Sequence, residues 1–364
     1  MFVLIFSALR LGAVMERVDL PSGLSFREIT ERYFSDGGVY IGGTTGWTKR
    51  SRTSGLLDRE FSYITPENDF KQSMVHPRPG IWNWKRADAW VTSAAKHGQV
   101  IRIHGPISPQ VSKWTKEDHR SAEELEANLV EYMTALCQRY NGLPQVKWMD
   151  VVNETLMNKS GEWFGPRPGV DRWENPWTLL GYDEGHPLRP PRYIKLAFEI
   201  ANEHAPEIEQ IINQHGSVEP KVWDRIFDLV DYLRAEGVRV DGIGWQAHVN
   251  LGWEKEDQNL ERLEALIERA HAKDLSFHIT ENNVWLKGEK KDFEGQAVTF
   301  AAILRVLLSQ RDSGEVTWNV WNLSDADSWK ETEQFEGCIF DRNYQPKPCY
   351  HALQRELLRV ALER

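Results

Sequence analysis

The 364-residue chain has little cysteine and no surplus of positive charge, and each shortage excludes something. Three cysteines, Cys137, Cys338 and Cys349, are too few for a disulfide framework and lack the spacing of a metal site. They leave a Cys338–Cys349 pairing open. A formal charge of −10 provides no basic field for nucleic acid or anionic lipid, so the expected partner is neutral or weakly charged. No apolar run is long enough to span a membrane. The nearest, MFVLIFSALRLGAV at 1–14, has no basic residue before its apolar stretch. It reads as a weak signal peptide, implying a secreted or periplasmic protein, or as a leader ahead of a start at Met15, implying a cytoplasmic one.

Low-complexity tracts, Gly/Ser- or Pro-rich linkers and short repeats are also missing, which argues for a single unit. No G-x-S-x-G elbow follows a strand, and no His-Glu-x-x-His pair is present. The segment GGTTG is glycine-rich but has neither the spacing nor the Lys-Ser pair of a phosphate loop.

What the chain does have is tryptophan, sixteen residues, whose flat apolar faces suit either a core or the faces of sugar rings. It also has a repeating order of elements. Short β-rich runs fall at 39–43, 62–65, 100–104, 146–153, 209–213, 241–248, 275–280 and 316–322. Helical stretches lie between them at 86–97, 121–139, 191–204, 219–236, 259–273 and 293–312. In the second of these, Leu125, Leu129, Tyr132, Met133 and Leu136 have the three-to-four spacing of a helix covering a sheet. Eight strands alternating with helices predict an α/β fold, a single-domain (β/α)8 TIM barrel, with an open doubly wound sheet as the alternative. Residues 1–36 are expected to form a leader and lead-in helix, and 37–364 the barrel.

Catalytic groups of such barrels sit at the C-terminal ends of the strands. Collecting the polar and aromatic residues there yields Glu67, Asn68 and Lys71 after the second strand, and His104 after the third. Asn153 and Glu154 end the fourth, Asn213 the fifth, Gln246 and His248 the sixth, and Glu281 the seventh, while Trp321 and Trp329 follow the eighth. Glu154 and Glu281 would face each other across the mouth, where retaining glycosidases hold two carboxyls about 5–5.5 Å apart. One must stay protonated and the other ionised. A metal site built from His104, Glu154, His248 and Glu281 is an alternative without the usual ligand spacing.

WMDVVNE (148–154) and HITENN (278–283) resemble the acid/base and nucleophile segments of glycoside hydrolase family 10, best known for endo-β-1,4-xylanases. TPENDFK (65–71), QAH (246–248), VWNLSDADSW (320–329) and FDRNYQPKPCYHAL (340–353) resemble further segments of that family. The resemblance runs from about Gly37 to the C-terminus. It implies a retaining hydrolase of internal β-1,4 linkages in xylan, with Glu154 as acid/base and Glu281 as nucleophile. Asn153 would bind the sugar 2-OH, and His248 would orient Glu281. Asn68, Lys71 and His104 would bind hydroxyls on the non-reducing side, with Glu67 and Gln246 also in the substrate site and Trp321 and Trp329 walling the sugar. It implies neither metal nor organic cofactor, a polysaccharide or oligosaccharide as partner, no nucleic acid, no membrane and a monomer.

Two departures bear on substrate choice. The family pattern H-T-L-V-W-H reads HGPISP at 104–109, placing Ser108 and Pro109 where a Trp and a second His are usual, and so removing an aromatic wall. The pattern N-D-Y reads Asn213, Gln214 and His215, removing an acidic residue from the mouth. Another β-linked glycan, or a binding barrel without catalysis, therefore stand as alternatives. The aromatic segment after Glu154, with Trp163, Phe164, Trp173 and Trp177, either lines the cleft or folds on its own aromatic core.

Overall fold

The computed structural model describes residues 23–35, 37–117, 120–165, 175–256, 258–286, 291–329 and 335–363. Its strands are β1 (Val39–Thr44), β2 (Tyr63–Thr65), β3 (Val100–Ile103), β4 (Val146–Asn153), β5 (Glu209–Gln214), β6 (Gly242–Trp245), β7 (His248–Asn250), β8 (Ser276–Trp285) and β9 (Val316–Val320). Every neighbouring pair from β1 to β6 is parallel; β6 then pairs with β8, β8 with β9, and β9 with β1. That last pairing closes an eight-stranded barrel and rules out the open sheet. The short β7 lies outside the barrel and pairs with the far end of β8.

All six expected helices form, at Lys85–His97, Ala122–Tyr140, Arg192–His204, Pro220–Ala235, Asn259–His271 and Phe293–Ser309. Ser121 caps the second with a reciprocal bond to Glu124, and that helix buries the five residues its spacing singled out. Helices at Arg50–Glu60 and Pro348–Leu362 were not expected. The first, RSRTSGLLDRE, is polar over most of its length and carries a weak apolar stripe, so periodicity was a poor guide to it. A helix at Phe26–Tyr33 packs against these two, with Phe26 fully buried against Phe61 and Tyr350. No helix among the described residues is long and apolar enough to cross a membrane. All three cysteines are free and buried, and Cys349 Sγ points at the Cys338 carbonyl, 3.9 Å away.

The bore is filled in layers. Tyr63, Trp148 and Ile211 pack together near the N-terminal ends of the strands, apart from the main core between strands and helices. Over Trp148 lies the guanidinium of Arg102, 5.6 Å from the ring, which pairs with Asp150 at 2.6 Å and donates to His278. Burial, reinforced by the Arg102 charge, holds His278 well below the usual imidazole range, so it stays a neutral acceptor. The functional side chains stand on this polar layer, one step nearer the C-terminal ends.

Candidate active site

Strand irregularities aim the key side chains. Alternation along a strand would send Asp150 and Asn153 to opposite faces, since they are three residues apart. The β4–β5 register shifts between Asp150 and Val152, and this bulge turns both inward. A second shift, between Ile279 and Asn282 of β8, lets the consecutive residues Thr280 and Glu281 both reach Asn213. Glu154, Ala247 and Asn322, at the ends of β4, β6 and β9, have φ near +60°, a conformation that costs a non-glycine residue about 1–3 kcal/mol. All three lie beyond or at the C-terminal ends of barrel strands.

The two glutamates are joined by one chain of side-chain amides. Asn213 Nδ2 donates to Glu281 Oε1 at 3.0 Å and to Asn153 Oδ1 at 2.8 Å. Gln246 Nε2 donates to the same Asn153 oxygen at 3.2 Å and to Glu154 Oε1 at 2.9 Å. Thr280 Oγ1 holds the other end of Asn213, and Gly244 leaves room for that bond, because a Cβ there would lie 2.6 Å from Asn213 Oδ1.

The environments of the two carboxyls differ. Burial would push Glu281 up, but His104 and His248, with Lys71 behind them, outweigh it and hold the carboxyl down to about 2. His248 Nε2 stands 3.2 Å from Oε2, and His104 Nε2 stands 3.8 Å from Oε1. His104 is aimed by Asp150, which accepts from its Nδ1 at 3.0 Å. Glu154 has one filled oxygen, Oε1, while Oε2 is buried with no hydrogen-bond partner among the described residues. One carboxyl is thus held ionised, and the other has an oxygen free to carry or receive a proton.

The remaining expected residues surround this pair. Burial pushes Lys71 down against the pull of Glu281, Glu154, Glu67 and Asp150, and its Nζ donates to Gln110. Glu67 and the half-buried Asn68 lie further out after β2, with Glu67 paired to Lys49 at 3.2 Å. Trp321 is buried and turns its edge to His104, the ring centroids 4.9 Å apart. Trp329 is 46% exposed and edge-on to both His248 and Trp285 at 5.8 Å. Among the described residues, no group of three or more His, Cys, Asp or Glu is arranged to hold a metal ion.

The structure corrects the expectation for position 214. Gln214 is fully buried, not at the mouth; its Oε1 accepts from the amides of Thr155 and Leu156 and its Nε2 donates to the Leu156 carbonyl at 2.9 Å. It holds the segment that carries Glu154. Ser108 is also buried, and its carbonyl accepts from Trp177 Nε1 at 3.3 Å. Phe164 and Trp177 are buried and Trp163 packs on the core, so these three belong to a packed aromatic segment, while Trp173 lies outside the described residues. Asp150 and Thr280 were missed. Both lie inside strands rather than at their ends, and the signal available was a polar residue within an apolar run.

The family model described as glycosyl hydrolase family 10 matches residues 25–356. Endo-1,4-beta-xylanase A of Halalkalibacterium halodurans is 26% identical over 386 residues, spanning 93% of this chain and 89% of that protein. Endo-1,4-beta-xylanase B of Neocallimastix patriciarum is 29% identical over 299 residues; the match spans 81% of this chain and 31% of that longer protein. Among solved structures, xylanase 10B of Thermotoga petrophila RKU-1 in complex with xylobiose superposes with a TM-score of 0.79 at 25% identity, covering 94% of this chain and all of that one.

Proposed function

The chain belongs to glycosyl hydrolase family 10, and from that premise we propose that it cleaves internal β-1,4 linkages of xylan with retention of configuration. The observation that carries this reading is the amide chain joining a carboxylate held ionised to a carboxyl with an open oxygen. Retaining hydrolysis needs that division of roles.

Glu281 attacks the anomeric carbon while Glu154 protonates the departing glycosidic oxygen, leaving a covalent glycosyl-enzyme. Glu154, now ionised, takes a proton from the water that displaces Glu281, and both groups return to their starting states. Oε2 is the oxygen suited to carry the proton, since Oε1 already accepts from Gln246. Asn153 uses its Oδ1 within the network, so its Nδ2 is the group left for the sugar 2-OH. Lys71, Asn68 and Glu67 bind hydroxyls on the non-reducing side, and Trp321 with Trp329 walls the sugar at the cleavage point.

Purified protein is expected to release short xylo-oligosaccharides from β-1,4-xylan. Glu281→Ala is expected to abolish turnover, and azide to restore cleavage of an activated aryl xylobioside with an inverted azide product. Faster release from another β-glycan than from xylan would overturn the substrate, and no azide rescue would overturn the nucleophile.

A further inference from the structure

Glu154 Oε2 faces a residue that the mechanism above does not use. His215, at the end of β5, places Nδ1 3.8 Å from that oxygen. Its other ring nitrogen, Nε2, is 2.8 Å from the Leu156 carbonyl oxygen, which can only accept. Nε2 therefore carries a hydrogen, and in the Nε2–H tautomer Nδ1 is a lone pair 3.8 Å from Oε2. A lone pair repels a carboxylate oxygen and accepts from a carboxylic O–H. The ring thus stands where it tells the two states of Glu154 apart.

Its position is held from several sides. Phe164 stacks on the ring, with centroids 6.2 Å apart and planes 23° from parallel. Gln214 donates to the His215 carbonyl and binds the amides of Thr155 and Leu156, so His215 and the segment after Glu154 are tied together. The titratable groups facing the pair from other elements are Lys71 after β2 and Glu281 on β8, with His104 and His248 against Glu281. Against the ring itself pack Phe164 and the Leu156 carbonyl. This is also a position where the chain departs from its family's pattern, with histidine in place of tyrosine.

We propose that His215 is a positioning residue for the acid step: its neutral ring accepts a hydrogen bond at Nδ1 from Glu154 Oε2–H and so keeps Glu154 in its acid form until the leaving oxygen arrives. The gap closes by a turn of the carboxyl, as catalytic hydrogen bonds often tighten only in the substrate complex. The proton passes from Oε2 to the leaving oxygen as the glycosidic bond breaks. When water is later deprotonated, its proton returns to Oε2.

The proposal rests on Glu154 being the acid, and the test separates the two. kcat/KM is measured for phenyl and 2,4-dinitrophenyl β-xylobiosides, whose leaving groups do and do not need protonation, in wild type, E154Q, H215A and H215F. H215F keeps ring volume and the Phe164 stack without the acceptor, and serves if H215A does not fold. Both His215 variants are expected to lose about tenfold or more on the phenyl substrate and less than about twofold on the dinitrophenyl one. In H215A the alkaline limb of the phenyl profile should also move to lower pH. Equal losses on both substrates, or an unmoved alkaline limb, would leave His215 a structural residue and overturn the proposal. If E154Q itself lost both substrates equally, the assignment of Glu154 would fall instead.

Discussion

At the scale of single residues, Glu281 shows how neighbours outweigh burial. A buried carboxyl is poorly solvated and tends to keep its proton. Glu281 does not, because His104 and His248 lie within 4 Å of its two oxygens and an Asn213 hydrogen bond adds to them. Removing His248 should let burial reassert itself. A charged hydrogen bond contributes about 1.5–3 kcal/mol, so His248→Ala is expected to raise the acid limb of kcat/KM by about one to two pH units. The sign follows from the chemistry: a carboxylate that has lost a hydrogen-bond partner protonates at a higher pH, and its ionised form is lost sooner as pH falls. A profile on the dinitrophenyl substrate with an unmoved acid limb would contradict the part given to His248.

At the scale of elements, the site depends on irregular strands. Regular β4 and β8 would direct Asp150 and Asn153, or Thr280 and Glu281, to opposite faces; the two bulges bring each pair inward. Such crowding needs space from a neighbouring strand, which Gly244 on β6 provides. In Gly244→Ala the new Cβ would lie 2.6 Å from Asn213 Oδ1 and 2.8 Å from Thr280 Cγ2. Overpacking of this kind costs about 1–3 kcal/mol. The variant should therefore lower the urea midpoint, and by displacing Asn213 from both carboxyl-linked contacts it should also reduce kcat. A loss of stability with kcat intact would show that the amide chain tolerates the shift.

At the scale of the whole molecule, the two ends of the described chain meet at one buried carboxyl. Glu60 Oε2 accepts from the Phe26 amide at 3.2 Å and from the Tyr350 hydroxyl at 3.0 Å, tying the first and last helices to Arg50–Glu60. Burial raises the Glu60 carboxyl above its usual value, against the opposing charge of Arg59 and its hydrogen bonds. A carboxyl raised in the folded state favours folding in its protonated form, so its contribution is fully present below the unfolded value and is lost as pH rises from there through the raised folded value. Glu60→Gln, which keeps an acceptor and removes the charge, is expected to be neutral or stabilising at pH 7. Glu60→Leu strands the Phe26 N–H and the Tyr350 O–H and should cost about 1–3 kcal/mol for each group left buried. Urea midpoints of the two variants check this, and a Gln variant as unstable as the Leu variant would show that the charge itself is what holds the helices.

The sequence by itself determined the barrel and put a glutamate at the end of two of its strands, because both signals are local. Strand and helix periods repeat within a few residues, and a polar residue ending an apolar run marks a strand's working end wherever the strand later sits. Tertiary structure alone decided what those residues touch. Asn213 joins Asn153 and Glu281, which are 60 and 68 residues away along the chain, and nothing near position 213 records either contact. Gln214 follows a strand-end residue yet turns into the interior, because the backbone amides after Glu154 need an acceptor once they are buried. The bulges that turn Asp150 and Glu281 inward depend on the register of the neighbouring strand, a property of a pair of strands that a single strand's sequence does not contain.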